Sequence, residues 1–297
     1  MAFNVAGVSG YINENSYDLI SKSILQTDIA SVMNVRVGLN ANKVDIPLLE
    51  GDFTIQPGQN CGFTNSGDTT ITQITMTLHN NKVQQQYCPQ TLRDTFLSES
   101  MSPGAVQQGL SFEALLADYF VRKLQNANED LIFNGSGSIS GLTHYLTAAN
   151  GVVSAATASA WTTANAIEKA NAMYVALSGQ SQADTDMVLI VSPSQYRVIK
   201  TALVQANLYH YRPDMTTQRL IIPGIDVEVV PCLGIKGTNV NKKYLGPKST
   251  LFLGTDLLSD FEQFRLFFDE GEDVLKSSMR WRIGVAVSQP TEWVAEF

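Results

Sequence analysis

The sequence predicts an α+β chain with a projecting β-hairpin, and three stretches of pattern predict it. Val35 to Tyr87 is a β-rich run with almost no charge, Ser111 opens a helical period, and Ala164 to Leu253 alternates helix with strand.

In chain order, Tyr17 to Met33 places Leu19, Ile20, Ile24, Leu25, Ile29 and Val32 at intervals that suit a short peripheral helix with one apolar stripe. Val35-Arg36-Val37 and Lys43 to Ile46 then read as strands, Gln56-Pro57-Gly58 as a turn, and Thr69 to Leu78 as the returning strand. In that strand Ile74, Met76 and Leu78 alternate with polar residues. Ile71 falls on the other parity, which a β-bulge between Ile71 and Ile74 would reconcile. Between Phe53 and Asn81 the single charged residue among 29 is Asp68, in a chain that is 16% charged. A hairpin with about 15 residues per arm reaches about 50 Å, whereas the whole chain packed as one globule has a radius of gyration of about 19 Å. Such an arm projects, and an uncharged ribbon in water invites aggregation unless another chain covers it. Phe53, Ile55, Phe63, Ile74, Met76 and Leu78 are its candidate assembly residues.

Ser111 is a suitable N-cap, and Phe112, Leu115, Leu116, Tyr119, Phe120, Leu124, Ala127 and Leu131 follow at helical intervals up to a stop at Asn134-Gly135. Gly135 to Gly141 reads as a flexible turn. From Ala164 a second helix carries Ile167, Met173, Tyr174 and Leu177. Met187 to Val191 is wholly apolar, the pattern of a strand covered on both faces. Ser192-Pro193-Ser194-Gln195 combines an N-cap, a proline at the first helical position and a Gln at the third, a capping box for a helix running toward Asn207. Arg219 to Ile222 and Ile225 to Val230 flank Pro223-Gly224 as a hairpin, and Leu251 to Leu253 adds a strand to the same α/β sheet. Phe264 to Phe297 returns to a β pattern, broken at Asp269-Glu270-Gly271-Glu272-Asp273.

At 297 residues the chain has material for a sizeable core and two subdomains. A net charge of −8 opposes a nucleic-acid binder built on a Lys/Arg surface, though not a wall that surrounds nucleic acid. Cys61, Cys88 and Cys232 form no CxxC pair, so neither a zinc site nor a redox motif is indicated. Met1 to Gly10 lacks a signal-peptide pattern and no run approaches 18 apolar residues, so a cytosolic product with no membrane span is expected. Gly135, Gly137 and Gly141 follow a helix and lack the GxGxxG interval, and His79, His144 and His210 lack ligand spacing. Asp269, Glu270, Glu272 and Asp273 read as a solvated acidic turn, without the alternating ligands of an EF-hand. No Ser/His/Asp or Cys/His set stands at recognisable spacing, and Ser192 lacks the GxSxG elbow. Neither catalysis nor a cofactor is expected. Lys236, Lys242, Lys243 and Lys248 form the densest basic stretch, with two readings open: a solvated loop, or a face toward DNA or an acidic neighbour.

This order of parts resembles the major capsid proteins of tailed bacteriophages, the Hong Kong 97 fold, over nearly the whole chain. The resemblance rests on the extended loop, then the long helix closing in Phe133-Asn134-Gly135-Ser136-Gly137 with Gly141-Leu142 after it. It continues through Met187-Val188-Leu189-Ile190-Val191-Ser192-Pro193-Ser194-Gln195-Tyr196 and Leu251-Phe252-Leu253-Gly254-Thr255-Asp256-Leu257, and ends in Trp281-Arg282-Ile283-Gly284-Val285-Ala286-Val287. It implies an N-terminal arm over residues 1–34 and an extended loop over 35–95. It further implies a peripheral domain over 96–150 and 262–297, with spine helix 111–134, and an α/β axial domain over 151–261. The implied role is structural, not enzymatic: many copies assemble as pentamers and hexamers into an icosahedral shell that encloses double-stranded DNA without sequence-specific binding. The implied location is the virion, with assembly in the host bacterial cytoplasm.

Several relatives carry a scaffolding segment ahead of the arm. Only about 34 residues precede the loop here, so the resemblance implies that scaffolding comes from a separate protein or is dispensable, with portal and decoration proteins as further partners. Some relatives also crosslink Lys to Asn. Lys43 and Lys82 lie on the loop with no catalytic carboxylate in view, so a noncovalent contact is expected. An encapsulin-like nanocompartment shares the fold, and a cytosolic α/β enzyme, suggested by Met187 to Asn207, is the alternative of another class.

Overall fold

Val274–Val287 places Leu275, Met279, Trp281, Ile283, Val285 and Val287 on one face and becomes β14, the strand around which the first large sheet is built. The structure, a computed structural model, describes residues 19, 22, 24, 25, 27–39, 42–56, 66–88, 112–137, 139–177, 186–206, 220–256 and 263–297. Ile20, the Pro57-Gly58 turn, Cys61, Phe63, Ser111, Asn207, His210 and Arg219 lie outside them, as do the side chains of Phe53, Phe112, Leu115 and Leu116.

Along one edge of β14 runs β4 (His79–Tyr87), antiparallel, opposite Leu275 to Ile283. Along the other edge lie β12 (Leu251–Thr255) and then β13 (Gln263–Asp269), and β1 (Asn34–Arg36) pairs in parallel with β12. Leu251 to Leu253 therefore joins this sheet and not the α/β sheet expected of it. Its alternation specified a buried strand but no partner, and β14 offers the longer apolar edge.

Helix α1 (Phe112–Asn134), about 35 Å long, packs on the inward face, where the Phe120 ring meets Phe264 and Tyr87 edge-on at 5.5 and 5.7 Å. Its buried stripe differs from the expected one. Ala127 and Tyr119 are exposed, while Phe120, Leu124, Asn128 and Ile132, with Glu129 and Phe133 beside them, are buried. The cause is what covers the helix: the segment around Ile29 and the loop after Cys232 bring backbone N–H groups to Glu129, so a carboxylate fits where an apolar side chain was expected. The N-terminal segment is not peripheral either, since Ile24, Ile29 and Val32 lie in the main core.

Gly135 to Gly141 is a tight hairpin of β5 (Gly135–Ser136) and β6 (Ile139–Ser140), not a flexible turn, and the short helix α2 (Leu142–Tyr145) follows it. A Cβ on Gly141 would collide with the backbone at Gly135, whose own φ is +74°, so glycine at both positions lets the chain reverse off the helix end.

The second sheet runs β7 (Val153–Ala156), β15 (Val294–Glu296), β11 (Lys243–Pro247), β8 (Met187–Val191), β10 (Val227–Pro231), β9 (Leu220–Ile222). Strand β8 is buried along its whole length, as its apolar run predicts. Val188 and Ile190 enter the core shared with the first sheet, and Met187, Leu189 and Val191 enter a second core under α3 (Ala166–Val175) and α4 (Pro193–Gln205). Each such side chain contributes about 1.5–3 kcal/mol. Pro193 starts α4 and Ser192 Oγ accepts from Gln195 N–H at 3.4 Å, as expected of the cap. The Gln195 side chain, however, does not fold back to Ser192. Its Oε1 accepts from the Trp161 backbone N–H at 3.0 Å and ties the incoming loop to the helix. Between β9 and β10, Gly224 takes φ +98° at the expected turn.

Candidate assembly surface

β2 (Lys43–Phe53) and β3 (Gly67–Thr77) pair antiparallel in one unbroken register, from Lys43 opposite Thr77 to Phe53 opposite Gly67. The Thr54 N–H donates to Ser66 O at 2.8 Å beyond the strand ends. No bulge separates Ile71 from Ile74. Ile74 stands opposite Ile46, and Ile71, opposite Leu49, faces the other way and is 74% exposed. Parity conflict carries no penalty where only one face of a ribbon is covered. Eleven residues span about 36 Å, and the returning chain leaves the ribbon after Thr77, with His79 to Tyr87 joining the first sheet.

The root of the hairpin is anchored within the chain. Ile46, Met76 and Leu78 are buried with Ala286, and Leu39, Val44, Ile74 and Phe252 pack against them. The Leu78 N–H donates to Asn42 O at 2.8 Å. Gly254 and Gly284, opposite each other on β12 and β14, make the seat. A Cβ on Gly284 would stand 2.6 Å from the Thr77 carbonyl oxygen, and one on Gly254 would run into the Met76 Cε. These two glycines were missed as site residues. The available signal was an isolated glycine inside a strand, which marks close approach of another backbone.

Of the six candidate residues, Met76 and Leu78 are therefore committed to the chain's own core and Ile74 is half-buried. Ile55 is 96% exposed. Phe53 lies at the distal end of β2, opposite Gly67. Every residue from Gly67 to Gln73 is exposed. No Lys, Arg or His occurs from Val44 to Thr77, whereas Asp45, Glu50, Asp52 and Asp68 do, and Asp52 stands opposite Asp68 in the register. Like charges opposed across a ribbon cost up to about 1 kcal/mol, and a lone two-stranded ribbon is marginal in water. The distal half of β3 presents a Thr-rich surface with Asp68 at its end.

The basic stretch is dispersed by the fold and is not one basic face. Lys236 Nζ pairs with Asp130 at 2.9 Å, and Lys248 Nζ with Glu228 at 2.5 Å and Asp186 at 3.3 Å. Lys243 is fully buried. Its ammonium donates to Ser159 O and Asn241 O, both at 2.7 Å, and to Glu296 Oε2 at 2.9 Å, 4.6 Å from the Trp161 ring centre. Trp161 Nε1–H donates to both Glu296 oxygens at 3.0–3.1 Å. Burial pulls the Lys243 ammonium below the usual lysine range, and the bond to Glu296 opposes that pull. Removing one member of such a pair costs about 3–5 kcal/mol, so this cluster is a structural joint between β11, β15 and the loop before α3.

At the acidic turn, Lys276 Nζ binds Asp269 at 2.6 Å and Glu272 at 2.7 Å. The hydrogen bond from Lys276 holds the Asp269 carboxyl below its usual range. Among the described residues, no group of three or more His, Cys, Asp or Glu is placed to hold a metal, and no helix is long and apolar enough to cross a membrane.

No protein-family model matches the chain, and no curated protein matches it. Solved structures do. A chain of the satellite phage P4 procapsid with its size determination (Sid) protein matches at TM-score 0.61 and 12% identity, covering 94% of this chain and 89% of that one. The capsid of the native GTA particle matches at TM-score 0.58 and 14% identity, with coverage of 93% and 89%. A virus-like particle from Pyrococcus furiosus matches at TM-score 0.54 and 13% identity, with coverage of 95% and 98%. The chain has the fold of the capsid and virus-like-particle chains that it matches over nine-tenths of its length.

Proposed function

We propose that this chain is the major capsid subunit of a tailed phage, assembling as pentamers and hexamers into an icosahedral head around double-stranded DNA. The observation that carries this reading is the pairing of a capsid fold along nearly the whole chain with a ribbon that is seated at its root and bare beyond it. In the proposed division, residues 35–95 form the extended loop, 96–150 and 262–297 the peripheral domain, and 151–261 the axial domain. The distal ribbon, with Phe53, Ile55 and Phe63, lies across a neighbouring copy, and the axial parts form the rings. A closed shell needs both kinds of contact. The role is structural, the location is the virion, and scaffolding, portal and decoration proteins are the further partners.

Electron microscopy of the purified protein tests the proposal, with closed shells built of rings of five and six as the expected result. A stable monomer of about 32 kDa in sizing chromatography under all conditions would overturn it. A second reading, a genome-free compartment filled with a protein cargo, is favoured by the equally broad match to a virus-like particle. Nucleic-acid staining and mass spectrometry of the shells separate the two.

A further inference from the structure

Glu129 sits on α1 where three parts of the chain meet, and it is 2% exposed. Its carboxylate accepts the backbone N–H groups of Ile29, from the N-terminal segment, and of Leu233, from the loop after β10. The second oxygen, Oε1, is buried with no hydrogen-bond partner among the described residues. The loop is pressed hard onto the helix: a Cβ on Gly234 would lie 2.9 Å from the Glu129 carbonyl oxygen and 2.5 Å from Phe133 Cβ. Asn134 Nδ2–H and the Lys236–Asp130 pair fasten the same loop one turn further along, Asn134 donating to Gly234 O at 2.6 Å. Asp28 faces Glu129 from the N-terminal segment, and the buried Cys232 thiol faces it from the loop. On its own helix the adjacent acid, Asp130, is held by Lys236.

We propose that Glu129 is a proton-controlled clasp: one bound proton tightens the joint between the N-terminal segment, α1 and the Cys232–Lys236 loop, and its loss loosens that joint. The unpartnered Oε1 is the reason. A charged carboxylate there leaves a buried anionic oxygen unsatisfied next to Asp28, and a neutral one removes both penalties. Burial, reinforced by Asp28, lifts the Glu129 carboxyl to about 7 from an ordinary 4.5. Burial raises the Cys232 thiol well above its usual value, so it stays neutral throughout. A raised folded-state value places the extra stability below the ordinary carboxyl range, and that stability is lost as pH climbs to about 7.

The test is hydrogen exchange read by mass spectrometry on the full-length protein, with protection factors corrected for the intrinsic pH dependence. From pH 6 to pH 8, a window clear of the pI near 4.9, peptides spanning Thr27–Val32 and Cys232–Ile235 should lose protection by about tenfold. Glu129→Gln keeps an acceptor without the charge and should flatten that slope, while peptides of β8 stay unchanged. A flat wild-type profile, or the same slope in Glu129→Gln, would overturn the proposal. If Glu129→Gln does not fold, Asp28→Asn decides on an exposed residue: a shallower slope supports the clasp, and an unchanged slope refutes it. The experiment reads a joint inside one subunit, so its outcome is independent of whether the protein forms shells.

Discussion

The root and the distal half of the β2–β3 hairpin share one register and one backbone geometry, yet they live in opposite environments. At the root, Met76 is fully buried over Gly254, and the Thr77 carbonyl rests on Gly284. Farther along the same strand, Ile71 and its neighbours face solvent on both sides. The difference shows that local β pattern does not decide burial. The root is stabilised by strands from the other end of the chain, whereas the distal stretch from Gly67 to Gln73 is exposed throughout.

The largest effect separates the two halves outright. Replacing residues 49–71 by Asn-Gly, which closes a two-residue turn between Leu48 and Thr72, should leave the urea unfolding midpoint in place and abolish shells in electron microscopy. Normal shells from that chain would remove the assembly role from the distal ribbon. Next in size, Met76→Ala should lower the unfolding free energy by about 2–5 kcal/mol, while Ile71→Ala stays within about 0.5 kcal/mol. Equal losses in urea denaturation would erase the distinction between root and tip. Gly284→Ala tests the seat itself. Its methyl meets backbone and not a yielding side chain, so a loss of about 1–3 kcal/mol is expected, and an unchanged midpoint would mean that the root is not wedged there. Smallest is a charge effect: Asp68→Asn relieves the opposition to Asp52, should leave the midpoint within about 0.5 kcal/mol, and should weaken the salt dependence of shell formation followed by light scattering. An identical salt profile would show that the acidic tip plays no part in the contact.

Some of this was legible in the residues. Asn134-Gly135 marks the end of α1 because a left-handed position favours glycine, and the five apolar residues of β8 announce cover on both faces because a strand exposes both. Ser192-Pro193 begins α4 for equally local reasons. The Phe53 to Asn81 composition, poor in charge and rich in Thr and β-branched residues, announced extended strands there. Glu129 was not legible, since nothing near it in sequence supplies the N–H groups of Ile29 and Leu233. The basic stretch was misleading for the same reason: Lys236, Lys243 and Lys248 are neighbours in sequence, but their acids, Asp130, Glu296 and Glu228, lie on three separate elements.

The sequence by itself determined the end of α1, the two-sided cover of β8, the start of α4 and the turn at Gly224, because capping, φ preference and periodicity act over a few residues. Only the tertiary structure decided that Leu251–Thr255 pairs with β14, that Met76 belongs to the core while Ile71 does not, and that Gly254 and Gly284 form the seat beneath the hairpin. A period of two names a face but no partner, and each of those outcomes depends on a surface supplied by a distant part of the chain.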